Sequence, residues 1–189
     1  MKIKKYGFFI IIISVLILIG TVLFFLTKEE KIKLKIPFIT PKEIVVELYF
    51  SSKDAMYLVK EEHRIPASDN NLEHAKEIIN ELIQGPESKD LFPTIPEGTQ
   101  IRELYFHKNT AYVDFSSELV KNHPGGSSAE IHTIFSIVNT LTSNFPKIKY
   151  VQILVEGREI DTIGGHIDTT LPFKQNLSLI QQKRVESRE

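Results

Sequence analysis

The chain has 189 residues, 42% of them hydrophobic and 25% charged, with nine Gly, nine Pro and no Cys. This composition is typical of a protein with one ordinary globular domain. The lack of Cys excludes disulfide bonds, thiolate nucleophiles and Cys-ligated metal ions. A formal net charge of -1 provides no electrostatic attraction for nucleic acid, so we predict no nucleic-acid partner.

An uncharged apolar run occupies residues 8–26, after a Lys-rich segment at residues 1–7. At about 1.5 Å per residue, a helix of this length would cross the ~30 Å hydrocarbon core of a membrane. No small-residue cleavage site follows the run, which favours an uncleaved anchor. The sequence therefore predicts a single-pass protein of the cell membrane, with residues 1–7 in the cytoplasm and the C-terminal domain outside it.

Residues 27–42 are charged and contain two prolines, which is typical of an extended spacer. We predict one folded domain over residues 43–173 and a polar tail over residues 174–189. The domain opens with a run of β-branched and aromatic residues that predicts the first strand of a hairpin. Alternation along this strand predicts that four side chains face the core: Ile44, Val46, Leu48 and Phe50.

Apolar residues then recur every three or four positions, which predicts a helix capped by Asn70 or Asn71 and ended by Gly85 and Pro86. Two prolines and a glycine at residues 91–99 predict a loop. Strands flanking Lys108 and Asn109 form a second predicted hairpin.

A second helix is predicted to begin at Ser127, because Ser127 and Glu130 have the spacing of a capping box. Pro146 ends this helix, and residues 150–157 form a fifth strand, followed by a short edge strand before Phe173. The order ββαββαβ predicts an α+β fold with two helices on one face of a mostly antiparallel sheet, preceded by one transmembrane helix.

Several short motifs occur together and in order: L-I-x-G-P at residues 82–86, I-P-E-G-T at 95–99, V-D-F-S at 113–116 and G-G-S-S-A-E at 125–130. Because of these motifs, the chain resembles the GerMN domain family, which is named for a spore-germination and sporulation protein. The resemblance implies a module without known catalytic activity that acts by protein association. The positions that carry it are Pro96, Gly98, Thr99, Val113, Asp114, Phe115, Ser116, Gly125, Gly126, Ser127 and Glu130.

The same region has a catalytic interpretation and a structural one. Asp114, Ser116, His123, Ser127 and Glu130 surround a Gly-Gly loop at a helix N-terminus, where free N–H groups can bind an anion or form an oxyanion hole. The structural interpretation assigns these residues to turns and to a capping box, so that replacing Ser127 by Ala would cost about 1 kcal/mol. The motif G-x-S-x-G of a nucleophilic serine is absent. We favour the structural interpretation.

The remaining polar residues give weak signals for metal or cofactor binding. Asp161, His166 and Asp168 are close in sequence but lack the helical spacing of common metal sites. Glu62 and Arg64 lie two apart on a strand and project from one sheet face. We predict no metal, no cofactor, and structural or exposed roles for the other histidines: His63, His74, His107 and His132.

Six strand aromatics alternate in direction, so some must face away from the core, where a cluster would mark a contact site: Tyr49, Phe50, Tyr105, Phe106, Tyr112 and Phe115. The sequence therefore predicts a non-catalytic, envelope-facing module of sporulation, germination or envelope assembly. Its predicted partners are the membrane, through the N-terminal helix, and a protein or a second copy. The alternative is a hydrolase or a small-ligand or glycan-binding domain that uses residues His123 to Ser128.

Overall fold

The computed structural model describes residues 13–24 and 42–181. The chain divides into two compact units, Met1–Thr40 and Pro41–Glu189. In the first unit, the described residues form one helix, α1, at 13–24. The predicted cytoplasmic segment 1–7 and all but the last residue of the predicted spacer 27–42 lie outside the described residues.

The predicted transmembrane helix over residues 8–26 is corrected by the structure. The described part of helix α1 covers residues 13–24. Across residues 13–24 and 42–181, the structure has no helix that is both long enough and apolar enough to cross a membrane. Residues 8–12 and 25–26 of the predicted span lie outside the described residues.

The second unit is an α+β domain. Its strands are β1 (Glu43–Ser52), β2 (Leu58–Pro66), β3 (Leu91–Phe92), β4 (Ile101–His107), β5 (Thr110–Phe115), β6 (Tyr150–Val155) and β7 (Phe173–Lys174). Its helices are α2 (Asn71–Gln84), α3 (Glu118–Lys121), α4 (Ser127–Asn144) and a short 3-10 turn at Leu177–Leu179. Both predicted hairpins, both long helices and the fifth strand are confirmed.

The strands form two sheets, whereas the sequence predicted one. The first has the order β2-β1-β3 and the second the order β4-β5-β6-β7. Strands β5 and β6 pair in parallel, because α3 and α4 lie between them in the chain and provide the long crossover that a parallel pair needs. Helices α2 and α4 each contact a strand of both sheets, so one hydrophobic core joins the two sheets and the helices.

Strand β1 lies in the middle of its sheet and is buried toward its C-terminal end. Val46, Leu48 and Phe50 are in the core and Ile44 packs at its margin, as the alternation predicted. Tyr49 points the other way and is also buried. Its N–H donates to the Thr140 hydroxyl of α4 over 3.3 Å, and its hydroxyl lies 3.0 Å from that of Ser143 in the same helix. Helix α4 therefore packs against this part of β1.

Helix α2 has the predicted ends. The Asn70 side chain accepts the Leu72 N–H at 2.9 Å, and Gly85 follows the helix with a φ of 96°, a conformation that favours glycine. Helix α4 begins at Ser127 as predicted, but its N-cap is Gly126 and no side chain caps it. The predicted capping box of Ser127 and Glu130 is therefore wrong.

Two segments extend the sheets beyond the predicted strands. Leu91 and Phe92 pair with the end of β1, although the sequence predicted a loop at residues 91–99. At the other end of the domain, β7 includes Lys174, and the Gln181 N–H donates to the Leu58 carbonyl over 2.8 Å. Residues 174–181 of the predicted polar tail thus continue the fold.

Candidate functional site

Asp114 is a buried acidic residue of β5, and its two oxygens have separate partners. One accepts the Gly157 N–H at 2.8 Å, and the other accepts from the Arg102 guanidinium at 3.0 Å. Glu156 also lies 3.4 Å from Arg102. The Asp114 carboxylate therefore ties β5 to the turn after β6 and to β4, and this contact network leaves it no free oxygen aimed at a substrate.

The I-P-E-G-T motif is a turn stabilised by its own residues. The Thr99 hydroxyl donates to the Pro96 carbonyl over 2.7 Å, and Gly98 has a φ of 83°, as the third position of a type II turn requires. Next to it, the Ser116 hydroxyl accepts the Gln100 N–H at 3.0 Å. Val113 and Phe115 are fully buried in the core. These motif positions shape the loop beside α4.

Glu130 has a completely buried side chain in the first turn of α4. One carboxylate oxygen accepts the N–H groups of Ile163 at 2.9 Å and Gly164 at 2.8 Å. The other accepts the His166 N–H at 2.8 Å. Burial raises the pKa of Glu130, but these backbone N–H groups outweigh it and hold the pKa below its usual range. Glu130 therefore holds the loop at residues 163–166 in place by hydrogen bonds.

His123 has a contact at each ring nitrogen. Its Nδ1 accepts the Gly125 N–H at 3.0 Å, so the ring proton is on Nε2, which lies 3.3 Å from the Thr133 hydroxyl. That hydroxyl donates in turn to the Thr94 carbonyl over 2.6 Å. Burial lowers the pKa of His123. Gly164 packs so closely that an added Cβ would lie 3.0 Å from this ring.

The residues of the predicted catalytic interpretation do not form the pairs that a serine hydrolase needs. Both ring nitrogens of His123 face groups other than a serine, and Ser116 bonds Gln100. Ser127 makes no hydrogen bond with His123 within residues 42–181. Neither of these two serines is therefore paired with His123.

A cleft of about 740 Å³ opens beside the start of α4. Gly125 and Gly126 form its edge with φ values of 79° and 84°, and an added Cβ on either would meet nothing within 4 Å. Sequence reasoning found the Gly-Gly loop but missed the opposite wall of the cleft. The lining includes Phe92, Pro93, Thr94, Ile95, Pro96, Pro124, Ser127, Ser128 and His132.

His132 and Thr94 are two polar residues of this cleft that the sequence did not assign to it. The His132 Nδ1 lies 2.9 Å from the Ser51 hydroxyl, and burial lowers the pKa of this histidine. Thr94 is only 7% exposed, yet its Oγ1 has no hydrogen-bond partner. Thr94 and His132 are far apart in sequence, so no local sequence pattern indicates that both line this cleft.

The family model described as "Germane: Sporulation and spore germination" matches residues 47–161, which is more than half of the chain. The chain belongs to the Germane family. This match confirms the predicted GerMN-like membership. A search of the curated proteins gives no match.

Three solved structures resemble the Germane domain. A candidate lipoprotein from Clostridium perfringens is 28% identical, with a TM-score of 0.52 and coverage of 70% of this chain and 87% of that one. The first GerMN domain of the sporulation protein GerM from Bacillus subtilis is 23% identical, with a TM-score of 0.56 and coverage of 71% and 98%. The tandem GerMN domains of GerM are 24% identical, with a TM-score of 0.55 and coverage of 68% and 46%. This chain therefore spans about half the length of the tandem protein, and both GerM comparisons show the fold alone.

The predicted absence of a metal at Asp161, His166 and Asp168 stays a prediction, but these residues have other contacts in the Germane domain. His166 Nδ1 lies 3.3 Å from Glu130. Asp168 accepts the Thr170 N–H at 2.9 Å, and Asp161 accepts the Thr169 N–H through its backbone carbonyl. The three side chains do not converge on one point.

His63 is buried between two carboxylates of the Germane domain. Its Nε2 lies 2.7 Å from Glu61 and its Nδ1 lies 2.9 Å from Glu81. Burial lowers the pKa of His63, but hydrogen bonds to Glu81 and Glu61 outweigh it and raise the pKa above its usual value. One nitrogen of His63 and oxygens of Glu81 and Glu87 lie within 4.8 Å of one another, so this group has the ligand types of a metal site.

The other predicted surface features resolve into structural contacts and one aromatic pair. His74 packs against the Phe145 ring, and His107 is exposed. Glu62 lies 3.8 Å from Lys60, while Arg64 is exposed.

The strand aromatics differ in burial. Tyr49, Phe50 and Phe115 are buried, and Phe106 packs on Phe145. Tyr105, which is 42% exposed, stacks on Tyr112 with ring centroids 4.8 Å apart. Among the six predicted strand aromatics, this tyrosine pair is the exposed cluster.

Proposed function

We propose that this chain is a non-catalytic protein-interaction module at the outer face of the cell membrane in sporulation or spore germination. The description of its family supports the process. The Clostridium perfringens relative, a candidate lipoprotein, supports a location outside the cytoplasm. An α+β domain with a well-packed core and an exposed sheet edge is suited to binding another protein.

The proposal that the chain is non-catalytic rests on the contacts of the motif side chains. Asp114 binds Arg102 and a backbone N–H, and the Glu130 carboxylate accepts three backbone N–H groups. His123 is neutral and occupied at both nitrogens. An enzyme of this kind needs a nucleophile within reach of a base. In residues 42–181 these groups stabilise loops instead.

The stacked Tyr105 and Tyr112 are the contact surface that we assign to the partner protein. They lie opposite one another on β4 and β5, and β4 is an edge strand with its outer backbone groups unpaired within the sheet. Edge strands accept a further strand, and exposed tyrosines are enriched at interfaces. The partner would therefore add to β4 and cover the tyrosine pair.

Crosslinking of the full-length chain in its native membranes, followed by affinity capture, tests this proposal. We expect a defined protein adduct with the unaltered chain and its loss with Tyr105→Ser. Leu171→Ser is the matched control, because Leu171 is even more exposed and lies outside the strands. Absence of any adduct with the unaltered chain, or equal loss in both variants, would contradict the proposed surface.

A further inference from the structure

One group of titratable side chains lies where β2, α2 and the turn after α2 meet. His63 of β2 is 1% exposed, and its ring centroid lies 5.7 Å from that of the core residue Phe50. The Glu81 side chain of α2 is 21% exposed, and Glu87, beyond the end of the helix, is exposed. The group therefore extends from the margin of the core to the surface, where an ion from solvent would meet Glu87 first.

Glu61 fixes the positions of both His63 and Glu87. One Glu61 oxygen lies 2.7 Å from His63 Nε2 and accepts the Glu87 N–H at 3.0 Å. The other Glu61 oxygen accepts the Ser88 N–H at 2.9 Å. A carboxylate that accepts one ring N–H of a histidine sets its tautomer and directs the other nitrogen, as outer carboxylates do for histidines that bind metal ions. His63 Nδ1 is therefore the nitrogen that can bind an ion.

The negative charge of this group exceeds the positive charge near it. In the described part of the chain, no Lys or Arg forms an ion pair with Glu61, Glu81 or Glu87, and His63 is the one basic side chain that contacts them. Even with a protonated His63, negative charges outnumber positive ones by two. Like charges at the margin of an apolar core repel one another more strongly than in water. A divalent cation would remove this excess.

The spacing of the candidate ligand atoms suits a small metal ion. His63 Nδ1 lies 2.9 Å from a Glu81 oxygen, and a nitrogen of His63 and oxygens of Glu81 and Glu87 all lie within 4.8 Å of one another. Bonds of about 2.0–2.2 Å to zinc place two ligands of a tetrahedral site roughly 3.4 Å apart. This separation falls between the two observed distances. The exposed side chain of Glu87 is free to make the remaining adjustment.

We propose that His63, Glu81 and Glu87 form a binding site for a divalent transition-metal ion such as Zn²⁺. His63 Nδ1 and an oxygen from each of the two glutamates bind the ion, and water takes the fourth position. The imidazole ligand favours zinc over Ca²⁺ and Mg²⁺, which prefer oxygen ligands. The ion joins α2 and the turn after it to β2. This site goes beyond the proposed protein association, and the sequence did not predict it because its ligands come from separate elements.

The direct test is isothermal titration of the full-length chain with Zn²⁺, after any bound metal has been removed with EDTA. We expect saturable binding, and at least about tenfold weaker binding by Glu87→Gln, because the amide keeps the shape of the ligand but not its charge. Glu73→Gln is the matched control, since Glu73 is exposed on α2 and lies outside the group. It should bind Zn²⁺ as the unaltered chain does. Equal affinity in Glu87→Gln and the unaltered chain, or no saturable binding, would overturn the proposal.

NMR spectra of the histidine rings identify the ligand atom without any substitution. In the isotope-labelled full-length chain, saturating Zn²⁺ should shift the Nδ1 resonance of His63, while Nε2 keeps its proton and its bond to Glu61. His107 and His166 are exposed and report binding elsewhere on the surface. A response at these two residues with none at His63 would count decisively against the site.

Thermal unfolding tests whether the ion holds the folded elements together. A ligand that binds the folded chain better than the unfolded chain raises the unfolding temperature. We expect Zn²⁺ to raise it in the unaltered chain and in Glu73→Gln, and to raise it much less in Glu87→Gln. The same concentration of Mg²⁺ should leave it unchanged. An equal rise with Mg²⁺ would contradict binding of the ion by the His63 imidazole.

Discussion

The first turn of α4 takes part in two clusters of backbone N–H groups that differ in what fills them. In one, the N–H groups of Ile163, Gly164 and His166 surround the buried Glu130 carboxylate. In the other, the N–H groups of Ser127, Ser128 and Ala129 open onto a cleft. In the first cluster, the Glu130 carboxylate accepts the N–H groups and stabilises the loop at residues 163–166. The second has donors but no internal anion, at a helix start where Ser127 and Ser128 are solvent-exposed.

The comparison also explains why the motif G-G-S-S-A-E misleads a local interpretation. Ser127 and Glu130 have the spacing of a capping box, in which each would satisfy the other's backbone. The structure instead directs Glu130 to a loop more than thirty residues away and leaves Ser127 without a capping bond. The acidic residue of the motif holds the loop, and the open helix end follows from this.

Removal of the Glu130 carboxylate is the change with the largest expected effect. Glu130→Ala leaves one buried and two partly buried N–H groups without an acceptor, so we expect a loss of about 3–5 kcal/mol in the free energy of unfolding. Urea denaturation of the full-length chain measures it. Glu159→Ala, at an exposed position, is the control and should change stability by less than about 0.5 kcal/mol. Equal losses of stability in Glu130→Ala and Glu159→Ala would show that the contacts of the Glu130 carboxylate do not stabilise the fold.

Gly164→Ala should have the next largest effect, because the added Cβ would lie 3.0 Å from the His123 ring and 3.3 Å from a Glu130 oxygen. We expect about 1–3 kcal/mol of destabilisation from overpacking. A double-mutant cycle with His123→Ala provides the check, since removal of the ring should relieve part of the clash. If the two substitutions are simply additive in thermal unfolding, the close contact is not the cause.

The pH dependence of stability distinguishes the carboxylate at Glu130 from the cation at His63. The lowered pKa of Glu130 gives stability that is present above the unfolded-state value of about 4.3 and is lost as the pH falls through the folded-state value. Glu130→Gln should therefore flatten the acid limb of unfolding free energy plotted against pH. If the acid limb of Glu130→Gln has the same slope as that of the unaltered chain, another carboxylate causes the acid sensitivity.

His63 should act in the opposite direction. Its pKa is raised in the folded state by Glu81 and Glu61 despite burial, so its contribution is present below about pH 6.5 and is lost as the pH rises through the folded-state value. Glu81→Gln removes one of the two stabilising carboxylates and should reduce the loss on the alkaline side. Denaturation curves from pH 6 to 9 measure it, and NMR titration of the His63 ring should show a lower pKa in the variant.

Ser127→Ala should have the smallest effect. A capping box predicted a cost of about 1 kcal/mol, but the Ser127 side chain makes no capping bond in the structure. We therefore expect a change within about 0.5 kcal/mol. A loss near 1 kcal/mol in thermal unfolding would restore the capping box and would weaken the contrast between the filled and open N–H clusters.

Local sequence patterns predicted most of the elements, because their signals lie within a few residues of each other. The alternation in β1, the Asn70 cap, Gly85 and the hairpin at Lys108 and Asn109 all depend on short-range sterics and hydrogen bonds. The start of α4 was predicted correctly even though its cap was not. The family motifs likewise indicated the fold to which the chain belongs.

The sequence by itself determined the order of the strands and helices, the main core residues and the family. Only the tertiary structure decided that there are two sheets, that β5 and β6 are parallel, and that Glu130 binds the distant loop at residues 163–166. The cleft also depends on Thr94 and His132, which come from separate segments. Periodicity and capping are local properties, whereas sheet pairing and burial of a carboxylate depend on residues brought together by folding.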